Sequence, residues 1–221
     1  GLGLSVWIGL QVRAIRTPLQ LSQPHPFRTE AGKTRYLEHY EAWAARWPVP
    51  SETLFVDTSW GRTFVRISGP DDGPALVLLP GANATGLMFE PNVEAWAEAH
   101  RVYPVDTIFD FGRSIQLRDL TKPADFVDWL EQLLDGLDLG DRIDLLGVSY
   151  GGWIASRYGL AHPDRLGHLV LVAPAATVAQ FSLDFILRGI LCAIPHPHFV
   201  KSMAAWVMED AARGTPQQRQ W

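Results

Sequence analysis

Ser149 stands between glycines, in Gly147-Val148-Ser149-Tyr150-Gly151, with Gly152 directly behind. A serine framed in this way can serve as a nucleophile when the backbone lifts its hydroxyl to the top of a sharp turn. Residues 143–146 are a short apolar run of strand length. From Gly152 onward, Ile154, Ala155, Tyr158 and Ala161 fall on one face of a helix. A strand that passes straight into a helix forces its apex residue into a strained conformation and brings neighbouring turns close together. Only residues without a side chain fit before and after that apex. The helix then offers a free N–H, that of Tyr150, to negative charge forming beside the serine. At average Gly and Ser usage the bare pattern arises by chance in roughly one chain in ten of this length. The strand before it and the helix after it are therefore what make Ser149 a candidate.

The elements that must hold this turn follow from the rest of the chain. Its 221 residues suit one α/β domain, or one domain with a small insertion. A formal net charge of −5 and the lack of a Lys/Arg cluster argue against a nucleic-acid surface. The single cysteine, Cys192, excludes an internal disulfide and lies in an apolar run, where it reads as a small hydrophobe. No Cys/His spacing matches a zinc site, and no cofactor or metal is implied.

Residues 1–12 are apolar but too short to span a membrane, and Arg13 and Arg16 follow them. They read as the end of an anchor lying upstream of residue 1, or as an N-terminal helix. Residues 17–33 read as a linker. Residues 34–47 read as an amphipathic helix with Tyr36, Tyr40, Trp43 and Trp47 along one stripe, a packing face, ended by Pro48 and Pro50. Residues 52–57 and 63–68 predict a hairpin, and 75–79 a buried strand. A short helix follows at 93–99 and a strand at 101–105. Thr121 is the expected N-cap of a helix with Phe126, Leu130, Leu133, Leu134 and Leu137 on its apolar face. Residues 168–172 form the last strand. Strands alternating with helices imply an α/β fold with a mostly parallel sheet, right-handed crossovers and helices on both faces. Two apolar helices, 181–194 and 199–212, separated by Pro195-His196-Pro197, predict a partial helical lid. The organisation is thus an arm and helix over 1–50, a core over 51–176 and a lid segment over 177–221.

Three stretches together resemble the α/β-hydrolase superfamily, and within it the small bacterial carboxylesterase-like hydrolases. They are the Gly147–Gly152 turn, the strand and loop Leu76-Val77-Leu78-Leu79-Pro80-Gly81-Ala82, and Val105-Asp106 with Gly112-Arg113-Ser114 behind it. The resemblance implies that Ser149 attacks an acyl carbon and that the N–H groups of Tyr150 and Ala82 hold the oxyanion. Pro80 stands where the family usually has His. Gly81, Asn83 and Asp106 are candidate pocket residues. Asn83 reads mainly as a turn former, and Asp106 mainly as the organiser of the loop after its strand, with Arg113 and Ser114 bracing it.

A serine needs an imidazole to take its proton and a carboxylate to orient that imidazole. In this family the acid and the His follow the serine in the chain. Of the seven histidines, His25, His39 and His100 precede the turn, His162 ends its helix, and His168 opens a strand at the far end. His196 and His198 lie between the lid helices. No catalytic acid or His is identified. Two further strands are also expected beside 168–172, so the sheet needs the remainder of the polypeptide, or another chain, to complete it. The expectation is a serine esterase acting on a small apolar ester, with Phe181, Phe185, Leu187, Ile190 and Leu191 lining the lid. The alternatives are an acyltransferase, a perhydrolase or an amidase on the same turn, or a non-catalytic binding protein with a hydrolase-like pocket.

Overall fold

In the computed structural model the residues described are Phe27, 29–194 and 196–207. The chain divides after Ala173 into two units.

The first unit is built on a seven-stranded sheet in the order β1-β2-β4-β3-β6-β7. It begins with α1 (Glu30–Ala44) and an antiparallel hairpin, β1 (Ser51–Thr58) and β2 (Gly61–Ser68). β3 (Ala75–Leu79) leads through a 3-10 turn, Gly86–Phe89, into α2 (Glu90–Ala97). β4 (Arg101–Pro104), the two-residue β5 (Ile115–Gln116) and α3 (Pro123–Gly136) come next. β6 (Ile143–Val148) runs into α4 (Tyr150–Ala161), and β7 (Leu166–Val172) closes the unit. β4, β3, β6 and β7 are mutually parallel. The short β5 pairs β2 and has no counterpart in the sequence expectation.

The centre of the sheet is buried on both faces, and β3 shows how. Val77 and Leu79 point into a core made with Trp129, Leu130, Leu133 and Leu134 of α3 and Ile154, Ala155 and Tyr158 of α4. Leu76 and Leu78 point the other way, against Phe89, Val93 and Val102. Alternation of period two thus serves two layers of helices, as a central parallel strand requires. The indole of Trp129 is fully enclosed and donates to Thr63 Oγ1 at 2.9 Å, so its polar atom is not orphaned. α1 packs its aromatic stripe on β2, where Tyr40 meets Phe64 edge-on at 6.3 Å.

Several boundaries move, for local reasons. α1 begins at Glu30, four residues early, because Thr29 Oγ1 accepts the Gly32 N–H at 3.0 Å and caps the helix. The expected linker therefore stops short of residue 30. Residues 1–26, with the expected anchor remnant, lie outside the described residues. α2 also starts early, with Pro91 inside its first turn. The N-cap of α3 is Lys122, not Thr121. The Asp125 carboxylate accepts the N–H of both Thr121 (2.8 Å) and Lys122 (3.1 Å), which sets the start one residue later. β6 extends two residues beyond the expected apolar run, so Gly147 lies within the strand.

β7 pairs only with β6 among the described residues, and Leu169, Val170 and Val172 are 39–45 % exposed.

The second unit is a pair of helices, α5 (Leu183–Cys192) and α6 (Pro197–Val207). Phe185 faces Trp206 at 6.4 Å, Arg188 lies over the Trp206 ring, and Arg188 donates to Ser202 Oγ at 3.3 Å. Cys192 is half-buried, with its Sγ 3.6 Å from the Phe199 carbonyl oxygen. Residues 208–221 lie outside the described residues. Among the described residues no helix is long and apolar enough to cross a membrane.

Candidate active site

The turn after β6 has the shape that its glycines predict. Ser149 sits at φ 51°, ψ −110°, a left-handed conformation that costs a non-glycine residue about 1–3 kcal/mol and persists only where the surroundings impose it. Three backbone bonds impose it here. Ser149 N–H donates to the Val172 carbonyl at 2.9 Å, Gly151 N–H to Pro80 at 3.1 Å, and Trp153 N–H to Ser149 at 3.0 Å. The glycines leave no room for alternatives. A Cβ on Gly147 would lie 2.4 Å from the Gly151 carbonyl oxygen. One on Gly151 would lie 2.3 Å from the Leu79 carbonyl oxygen and 2.5 Å from that of Pro80. Ser149 itself is half-buried.

Two N–H groups flank this serine. Tyr150 is the first residue of α4, so its N–H has no intrahelical acceptor. Its ring is held in an aromatic cluster, stacked on Trp153 at 5.5 Å and edge-on to Phe109 at 5.2 Å. Burial and the nearby Asp110 raise the pKa of its phenol. On the other side is the loop after β3. A Cβ on Gly81 would lie 3.5 Å from Ser149 Cβ, so this loop abuts the serine. Ala82 is exposed, and its N–H finds no acceptor among the described residues.

The loop is shaped by two contacts. Ala84 N–H closes a turn onto the Gly81 carbonyl at 3.2 Å, with Asn83 at φ 60°. Asn83 N–H donates to Asp110 Oδ2 at 2.5 Å. Asn83 thus makes the turn through its backbone. Sequence reading missed Asp110, which also accepts the Phe111 N–H at 2.7 Å and whose carboxyl pKa is raised by burial. Its only sequence signal is an acid in the loop after β4, and nothing local pairs it with a residue 27 positions earlier.

Asp106 is 1 % exposed and turns inward to organise that loop. Its carboxylate accepts the N–H of Gly86 and of Arg113, each at 2.9 Å, and hydrogen-bonds the Tyr40 hydroxyl. Ser114 Oγ donates to the Asp106 carbonyl at 2.5 Å and accepts the Phe64 N–H at 2.8 Å. Arg113 pairs with Glu41 of α1. Burial pushes the Asp106 carboxyl up from 3.8 to about 6, against the opposing pull of its backbone donors. A folded-state value above the unfolded one means that the neutral acid folds more favourably. The stability from this group is therefore complete below about pH 4 and is lost as pH rises through 6, an effect on the order of 3 kcal/mol. Urea unfolding of wild type and Asp106→Asn at pH 4 and pH 7 should show a larger fall for the wild type.

The described histidines of the first unit make other contacts. His168 Nδ1 meets Asp144 Oδ1 at 2.7 Å and His100 Nε2 lies 3.9 Å from Asp144 Oδ2, at the start of β6, whereas Ser149 follows its end. His162 stacks on Tyr158 at 5.0 Å beyond the end of α4. His39 lies on α1, and His196 and His198 belong to the second unit. Among the described residues no imidazole is hydrogen-bonded to Ser149, and no group of three or more His, Cys, Asp or Glu is placed to hold a metal.

Comparison with known proteins gives a consistent picture. Residues 74–204 match the family model described as the alpha/beta hydrolase fold. The chain is similar to carboxylesterase YbfK of Bacillus subtilis, at 35 % identity over 68 % of this chain and 50 % of that protein. It is also similar to the uncharacterized carboxylesterase nap of Bacillus subtilis, at 31 % identity over 80 % of this chain and 58 % of that one. The crystal structure of naproxen esterase (carboxylesterase NP) from Bacillus subtilis superposes with a TM-score of 0.77 and 30 % identity, covering 87 % of this chain and 66 % of its own. The chain thus spans about half the length of these two curated relatives.

Proposed function

The chain belongs to the α/β-hydrolase family, and on that premise we propose that it hydrolyses carboxylic esters through an acyl-enzyme on Ser149. The observation that carries this reading is the strained backbone of Ser149 between a free helix N-terminus and the Gly81–Ala82 loop. A residue held at φ 51° by three backbone bonds, with glycines at every crowded position, is costly to maintain for packing alone. The names of the similar Bacillus proteins support ester cleavage as the reaction.

In the mechanism, Ser149 Oγ attacks the acyl carbon as a general base takes its proton. Negative charge collects on the former carbonyl oxygen, which accepts from Tyr150 N–H and Ala82 N–H. Each such donor contributes about 2.7–4 kcal/mol to the transition state. The carbon–oxygen bond to the alcohol then breaks and the alcohol leaves with a proton. Water attacks the acyl-serine by the same route and releases the acid. Every step is acid–base and nucleophilic chemistry.

A serine-directed alkyl fluorophosphonate tests the reading. Stoichiometric labelling at Ser149, located by peptide mass and lost in Ser149→Ala, is the expected result. Well-folded protein that takes no label would favour a binding protein with a hydrolase-like fold.

A further inference from the structure

α1 does more than cover the sheet. Tyr36, His39, Tyr40 and Trp43 line a cavity of about 180 Å³ whose opposite wall is Asn83, Ala84 and Thr85. The aromatic stripe does not close fully against this loop, and the space between them opens to solvent. Here the walls are fixed and the space stays open. The Tyr40 hydroxyl is tied to Asp106, and the Trp43 indole N–H to Glu90. The faces left to the cavity are therefore largely apolar, and the exposed imidazole of His39 stands among them.

Size and position indicate the occupant. An apolar cavity of roughly 150 Å³ accepts a benzene ring, so 180 Å³ suits a single ring or a branched group of similar bulk. Asn83 lies two residues beyond Gly81, and two residues span at most about 7 Å. Gly81 in turn abuts Ser149. The cavity is thus walled by the same loop that abuts Ser149. We infer that this cavity is a subsite of the ester site, which takes a ring-sized apolar arm of the substrate and makes α1 a specificity element. The inference rests on the ester-hydrolase reading for its purpose, and its test does not depend on Ser149.

The test titrates 4-fluoroacetophenone, a ring probe with no ester, into the whole protein and follows the fluorine resonance. The expected result is a saturable shift. It weakens at least tenfold in His39→Trp and in Ala84→Leu, which fill the space from opposite walls, and stays at the wild-type value in Glu38→Trp, on α1 but not lining the cavity. His39 is exposed, so its variant should fold even if the loop variant does not. No saturable binding to wild type, or equal binding in both filling variants, overturns the subsite. Ring binding without fluorophosphonate labelling overturns the hydrolase reading alone, and labelling without ring binding overturns the subsite alone.

Discussion

Ser149→Ala should lower the kcat of the proposed ester hydrolysis by about 10⁶-fold while the fold is kept. A drop of that order is what removal of the nucleophile causes in serine hydrolases, because the remaining groups have nothing to activate. The residual rate, about 10³–10⁴-fold over water, reflects the two N–H donors and binding. The backbone adds a second, opposite expectation. Alanine inherits the φ of 51° and gains nothing, whereas glycine adopts it freely. Ser149→Gly should therefore be more stable than Ser149→Ala by about 1–2 kcal/mol, the strain relieved less the extra entropy of an unfolded glycine. Thermal unfolding of the two variants side by side measures this difference. Equal stabilities would show that the surroundings, rather than the residue, bear the strain.

Gly151→Ala should destabilise the fold strongly. The added methyl would lie 2.3 Å from the Leu79 carbonyl oxygen and 2.5 Å from that of Pro80. Both are backbone atoms, at the end of β3 and just beyond it, and neither can swing aside. The helix and the strand must separate, breaking the Gly151-to-Pro80 bond. The cost should be about 3 kcal/mol or more, the upper end for overpacking. For a chain of this size that lowers Tm by roughly 6–12 °C. Whatever folds should also hydrolyse ester poorly. Pro80 leads into the loop with Ala82, so the same displacement would pull the proposed oxyanion donors off target, and an error of 1 Å costs about 10²-fold. Unfolding temperature and kcat/KM should fall together. A variant with normal Tm and normal activity would mean that the turn is looser than its contacts indicate.

Much of this was legible in the sequence because it depends on sterics. Gly147, Ser149 and Gly151 declare a turn that only glycine permits, and the run from Leu76 to Leu79 declares a strand buried on both sides. What could not be read depends on contacts distant in the chain. Asp110 shapes the Asn83 loop through a hydrogen bond across 27 residues, and no local pattern marks it. The stripe on α1 was readable as a face, but spacing says nothing of whether a face is filled, and this one leaves a cavity. Thr29 was hidden inside a polar stretch, although a threonine three residues before a helical glycine is a cap once the helix is known.

The Ser149 N–H ends on Val172, the final residue of β7. Among the described residues β7 is one of the two outer strands, with exposed apolar side chains and one neighbour. The proposed nucleophile is therefore moored to a strand that, among the described residues, lies at one edge of the sheet. Fraying begins at such margins, long before a domain melts as a whole. Whatever shelters that margin also steadies the aim of the hydroxyl.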